Sequence, residues 1–149
     1  MARPCSRAAA VRAASVWPSK AARCGDHLPR SEALPKERRL AKRRDFLRTY
    51  ETGRKVFARY SVLFVAANGL PFSRLGITAT KKLGKANVRN RLKRWTREVY
   101  RRQREPLGLD GRPMDFVVNV KPNAAVADFV DYSNDLQRAL RRAVAEGVE

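Results

Sequence analysis

Thr80-Lys81-Lys82-Leu83-Gly84-Lys85-Ala86-Asn87-Val88-Arg89-Asn90-Arg91-Leu92-Lys93-Arg94 is the stretch on which the fold turns, because the hydrophobic period changes inside it. Before it, Arg74 to Thr80 alternates Leu75, Ile77 and Ala79 against Gly76, Thr78 and Thr80, the period of two that a strand requires. After Gly84, Val88, Leu92, Trp95 and Val99 recur at steps of four, three and four, an apolar stripe of helical period. Asn87 is placed to cap the helix start, and Pro106 with Gly108 stops it. A strand running into a long amphipathic helix is the centre of the molecule.

Upstream, Lys42 to Tyr50 puts Phe46, Leu47 and Tyr50 on one helical face, with Gly53 available to end that helix in a left-handed conformation. Ala41 and Lys42 offer this helix no side-chain N-cap. Lys55 to Ala67 alternates, with Tyr60, Val62, Phe64 and Ala66 on one face and Leu63 and Val65 on the other, and a shorter strand around Val56 to Ala58 precedes it. Asn68-Gly69-Leu70-Pro71 is turn chemistry, so this strand and the next are expected to form a hairpin. Downstream, Phe116 to Val120 is a nearly continuous apolar run suited to a strand buried on both faces. Phe129, Tyr132, Leu136 and Leu140 then mark a last helix, with Asp128, Asp131 and Asp135 on a separate flank expected to be solvated. The order reads α, β, β, β, α, β, α.

Eleven of the 33 basic residues lie between Lys81 and Arg104, and the acids in or beside that span are Glu98 and Glu105. With the apolar stripe turned inward, Arg89, Arg91, Lys93, Arg94, Arg97, Arg101 and Arg104 fan across the exposed sides of the helix. A face selected for solubility would mix signs to form pairs one turn apart. The whole chain of 149 residues carries a net charge of +19, which repels itself unless a polyanion neutralises it. Nucleic acid is the indicated partner, and Asn90 between two arginines adds an amide able to donate to and accept from a base or ribose edge.

Several classes are excluded or disfavoured. The longest apolar run, Val62 to Ala67, is far short of the ~20 residues a membrane-spanning helix needs. Cys5 and Cys24 are too few for a zinc site or disulfide framework and read as free cytosolic thiols. The lone His27 leaves the region after residue 33 without a Ser/His/Asp, Cys/His or two-His constellation. Residues 1–33, rich in Ala, Arg, Ser and Pro with Trp17 the single large aromatic, read as a disordered basic extension or as sequence upstream of the true start. They lack the apolar core of a secretory signal. The domain is expected over residues 34–149.

The Thr80 to Arg94 stretch closely resembles the signature of the protein subunit of bacterial ribonuclease P. In that family a small hydroxyl residue, two lysines, an aliphatic residue and glycine lead into a helix opening Arg-Asn-Arg, aliphatic, Lys-Arg. The resemblance takes in Arg44-Asp45-Phe46 with Tyr50 and Gly53, Leu75-Gly76-Ile77 and the strand from Asp115 to Val120, covering residues 34–143. Thr80 stands where serine is usual, Asn87 where an aliphatic is common and Trp95 where a smaller or basic residue often sits.

The resemblance implies an α/β (α+β) two-layer sandwich in the αβββαβα order, with a four-stranded mixed sheet and a left-handed crossover. Periodicity alone would have assigned the usual right-handed connection. It also implies a subunit of an endoribonuclease in which the RNA, with Mg²⁺ bound mainly through that RNA and none held by the protein alone, removes the 5′ leader of precursor tRNA. The protein alone would be inactive, cytoplasmic, and in need of no membrane or protein partner. Arg89, Asn90, Arg91, Lys93, Arg94 and Arg97 match the helix lying near the catalytic RNA and the scissile end, with Lys81 and Lys82 extending that surface. Phe46, Tyr50 and Phe64 match the aromatics of the leader-binding cleft, with Arg43, Arg44 and Arg48 flanking them. Each of these aromatics could equally be core. A ribosomal or general RNA-binding protein, or a nucleoid DNA-binding protein, would share the basic helix but would not need Arg-Asn-Arg at a strand-to-helix junction.

Overall fold

The structure, a computed structural model, describes residues 34–147. The expectations for residues 1–33, including Cys5, Cys24 and His27, lie outside the described residues. In chain order the elements are α1 (Arg43–Thr52), β1 (Arg54–Phe57), β2 (Ser61–Ala67), β3 (Arg74–Thr78), α2 (Ala86–Gln103), β4 (Met114–Val120) and α3 (Phe129–Ala145), with short 3-10 turns at Lys36–Arg38, Lys81–Leu83, Leu109–Gly111 and Pro122–Val126. This is the expected αβββαβα order, a mixed α+β fold with one four-stranded sheet.

The strands lie side by side as β1-β2-β4-β3. β1 and β2 pair antiparallel, Phe57 opposite Val62, and β2 pairs antiparallel with β4, whereas β3 pairs with β4 in parallel, Gly76 opposite Val117. The hairpin expected between β2 and β3 is therefore absent, and the sheet's hairpin is β1–β2. The turn chemistry was sound: Asn68 Oδ1 accepts from the Leu70 N–H at 2.8 Å and its Nδ2 donates to the Phe72 carbonyl at 3.0 Å. What displaced β3 is β4, buried at every position but Asn119, since a strand apolar on both faces is stable only between two neighbours. It enters between β2 and β3 and pushes β3 to the edge.

Alternation assigns the two faces. Leu63, Val65, Leu75, Phe116 and Val118 point into the main core, where α2 supplies Leu92, Val99 and Tyr100 and α3 supplies Tyr132, Leu136 and Leu140. On the other face α1 covers part of the sheet. Phe46 sits on Gly76, where a Cβ would come within 2.7 Å of its ring, and Tyr50 meets the Phe64 ring edge-on at 4.7 Å and the Thr78 hydroxyl at 2.7 Å. Tyr60, expected on the Phe64 face, lies in the bend before β2 and turns instead to Tyr132 in the main core, ring centroids 6.5 Å apart.

Two further expectations change. α1 does run into Gly53, but Gly53 is extended (φ −78°, ψ 141°) rather than left-handed, and glycine is required because a Cβ would sit 2.1 Å from the Thr49 carbonyl oxygen. Asp135 is not simply solvated: its carboxylate accepts from the backbone N–H groups of Arg59 and Tyr60 at 3.1 and 2.9 Å, tying α3 to the β1–β2 connection. Among the described residues no helix is long and apolar enough to cross a membrane.

Candidate nucleic-acid interface

The junction from β3 to α2 is built to present positive charge. After β3, the 3-10 turn Lys81–Leu83 buries Leu83 and leaves Lys81 and Lys82 exposed. Gly84 follows at φ 104°, ψ −148°, a conformation essentially reserved for glycine, and redirects the chain into α2. The helix starts earlier than expected. Lys85 is the N-cap residue, without a side-chain cap, and Asn87 is already helical and exposed. Whereas α1 and α3 carry Asp45 and Asp131 in their first turns, α2 carries no acid there. Its uncapped N–H groups and positive dipole end add to the field of Lys81, Lys82 and Lys85 and suit an anion.

Along α2 the cations divide into two sets. Arg91, Arg94 and Arg97 are exposed, Arg89 and Lys93 half-buried, and none of the five pairs with a carboxylate among the described residues. Arg89 Nε is shielded from solvent and has no hydrogen-bond partner there. Arg91 donates to the Ala125 carbonyl at 3.0 Å and lies over the Trp95 ring at 5.0 Å. The C-terminal set is paired: Glu98 receives Arg101 and Arg102 at 2.7 Å, and Arg104 reaches Asp110 at 3.1 Å. Hydrogen bonds from Arg101, then Arg102, hold the Glu98 carboxyl down at about 2 despite opposing desolvation.

Trp95, read as part of the inward-turned apolar stripe, faces both ways. It is half-buried, packs against Phe129 and Tyr132 on its inner side, and on the outer side lines a groove of about 480 Å³ with Asn87, Asn90, Arg91 and Arg94. Asn90 and two arginines thus surround an aromatic face at the helix start.

The residues expected in the cleft come together with α2. Arg43, Phe46, Leu47 and Tyr50 of α1 line a groove of about 490 Å³ with Ile77 and Thr78 of β3 and with Lys93. Phe64 lies beneath, edge-on to Tyr50, with the Lys55 ammonium over its ring at 5.8 Å. Arg44 is exposed and only loosely beside Asp45 at 3.9 Å. Arg48 is committed elsewhere, to Asp115 at 3.1 Å.

Sequence reading missed that last partner. Asp115 is fully buried on β4 and accepts from Arg74 Nε and Nη2 at 2.8 and 2.6 Å, from Asn68 Nδ2 at 2.9 Å and from Arg48. Arg74 also donates to Asp45 of α1 at 3.1 Å, and its pKa is raised, chiefly by the hydrogen bonds to Asp115. This network fixes α1, and with it Phe46 and Tyr50, on the sheet face opposite the main core. An aspartate at the head of the apolar run Phe116 to Val120 was the available signal, because a buried carboxylate must be paired. Among the described residues no three His, Cys, Asp or Glu gather into a metal-ligand group.

The family model described as Ribonuclease P matches residues 34–144. The ribonuclease P protein component of Thermotoga maritima is 44% identical over 82 residues, 54% of this chain and 70% of that one, and the one from Syntrophus aciditrophicus is 36% identical over 103 residues, 69% and 84% of the two chains. In structure the chain is similar to the RNase P protein from T. maritima, with a TM-score of 0.63 and 37% identity over 70% of this chain and 96% of that one. It is likewise similar to the Staphylococcus aureus RNase P protein, with a TM-score of 0.65 and 30% identity over 70% and 94%. The lysine pair, Gly84 turn and Arg-Asn-Arg helix start lie within the matched residues, and the chain belongs to the ribonuclease P protein component family.

Proposed function

We propose that this protein binds the RNA subunit of ribonuclease P through the N-terminal half of α2 and the 5′ leader of precursor tRNA through the α1 groove. In doing so it assists the RNA in removing that leader in the cytoplasm. The observation that carries the reading is the uncapped start of α2, where Arg89, Arg91, Lys93, Arg94 and Arg97 have no carboxylate partner among the described residues, Lys81 and Lys82 lie exposed at its entry, and Asn90, Arg91 and Arg94 line a groove with the half-buried Trp95. Planar guanidinium groups pair phosphates bidentately and release condensed counterions on binding. In the α1 groove Phe46 and Tyr50 offer ring faces to an unstacked strand, and Arg43, Arg44 and Lys93 meet its phosphates.

The chemistry is assigned to the RNA. The carboxylates nearest the groove, Asp45 and Asp115, are taken up by Arg74, Arg48 and Asn68 and do not make a set of metal ligands. Mg²⁺, implied by the family resemblance, is in this reading bound mainly through the RNA. Residues 34–149 form the functional domain in this reading, so a chain beginning at Leu34 is expected to melt and to activate the RNA like the full chain.

Mixing the purified protein with its cognate ribonuclease P RNA and following 5′ cleavage of precursor tRNA at low Mg²⁺ tests the proposal. Cleavage is expected with both components and not with the protein alone. Failure to stimulate the RNA, or cleavage by RNA-free protein that survives removal of contaminating nuclease, overturns it.

A further inference from the structure

The sheet edge farthest from β3 carries a second basic surface. β1 is the outer strand there, and its last residue, Phe57, is 66% exposed. Phe57 lines a groove of about 280 Å³ with Arg59 and with Asp135, Arg138 and Arg142 of α3. The carboxylate in this groove is already used, accepting from the N–H groups of Arg59 and Tyr60. Arg138 and Arg142, one helical turn apart, have no ion-pair partner among the described residues, in contrast to Arg54 at the start of the same strand, which pairs with Glu146. Arg59 is held over the Tyr60 ring at 5.1 Å.

We propose that this groove is a second RNA-binding surface, with Arg138 and Arg142 on phosphates and Phe57 under a base, and that its occupant is the ribonuclease P RNA. The inference rests on the function proposed above. Charge complementarity selects a polyanion and disfavours a second copy of a chain with net charge +19. An exposed aromatic beside unpaired arginines is the composition that binds nucleic acid by stacking plus backbone pairing. Position selects the RNA subunit over the leader. α3 packs with α2 in the layer opposite α1, and one short turn, Pro122–Val126, joins the two surfaces: Arg91 donates to its Ala125 carbonyl, and its Asn123 side chain donates to the Arg59 carbonyl at 2.9 Å. A strand seated on the start of α2 can continue across this turn into the groove.

The test is binding of the full chain to its cognate ribonuclease P RNA over a series of salt concentrations. The double variant Arg138→Ala, Arg142→Ala is expected to bind more weakly and to lower the salt slope by roughly 1.4 to 1.8, about 0.7 to 0.9 for each phosphate left without its arginine, with an unchanged melting temperature. Phe57→Ala should weaken binding several-fold at every salt concentration and leave the slope alone, since stacking releases no counterions. If the double variant keeps wild-type affinity and slope while Arg94→Ala reduces both, this inference fails and the function proposed above stands. If neither variant changes RNA binding, both fail. Weakened leader-dependent precursor binding with RNA-subunit binding intact would place the leader in the groove, and an effect on self-association alone would place a second chain there; either result overturns the proposal.

Discussion

Both halves of α2 are basic in sequence, and their cations are opposite in circumstance. From Arg89 to Arg97 the cations have no carboxylate among the described residues, while Arg101, Arg102 and Arg104 are matched by Glu98 and Asp110. A count of charges cannot separate a binding face from a structural one; the partner can. The Arg74–Asp115 network makes the same point inside the fold, because there an arginine beneath the α1 layer is consumed by architecture rather than offered to a ligand.

The largest expected effect breaks the paired side. Asp115→Ala removes the fully buried carboxylate shared by Arg74 and Arg48, leaving Arg74 only Asp45, and we expect a loss of about 3 to 5 kcal/mol in urea unfolding. A loss below about 1 kcal/mol would show that the network is solvated and does not position α1.

Next come the neutral anchors beneath the two halves. Under the unpaired half, Thr96 donates to the Leu92 carbonyl at 2.8 Å, so the Tyr132 hydroxyl must donate to Thr96 Oγ1 at 2.7 Å; under the paired half, Tyr100 and Ser73 share a bond of 2.6 Å. Burial raises both phenols to about 12. A folded pKa above the unfolded value of about 10 means stability that is complete below pH 10 and falls as pH rises toward 12, by up to about 1.4 kcal/mol per pH unit for each tyrosine. Unfolding measured at pH 9 and 11 should show this fall, and Tyr100→Phe should halve its slope. A flat profile would contradict the burial of these hydroxyls.

Smaller again is the effect of removing the partner from the paired half. Glu98 is partly exposed, so Glu98→Gln should cost under about 1 kcal/mol at neutral pH. Its folded pKa lies below the unfolded value, so the contribution is present above about pH 4.5 and fades as pH falls toward 2. The variant should lack that part of the acid-induced destabilisation. An undiminished acid limb would mean that Glu98 does not hold the two arginines.

Much of the fold was legible because its signals are local. The period change around Gly84, the stripe of Leu92 and Val99 and the apolar run of β4 each report on their own segment. The position of β3 was not legible, since Asn68-Gly69 specifies a turn and not the strand to which the chain returns; that was decided by the need of β4, remote in sequence, for neighbours on both sides. For the candidate site, the Arg-Asn-Arg helix could be read directly. The commitment of Arg48 to Asp115, 67 residues away, and the outward half of Trp95 could not, because both depend on tertiary packing that no local pattern encodes.

The central claim is that unpaired cations on α2 bind RNA and paired ones do not. Salt-dependent binding of Arg94→Ala and Arg102→Ala to the cognate ribonuclease P RNA, measured beside the parent protein, tests it most directly. Both residues are exposed, so neither change should alter stability by more than about 0.5 kcal/mol. Arg94→Ala is predicted to weaken binding and reduce the salt slope by about 0.7 to 0.9, and Arg102→Ala to leave the slope as it was. Equal slopes for the two variants, or a larger reduction from Arg102→Ala, would contradict the account.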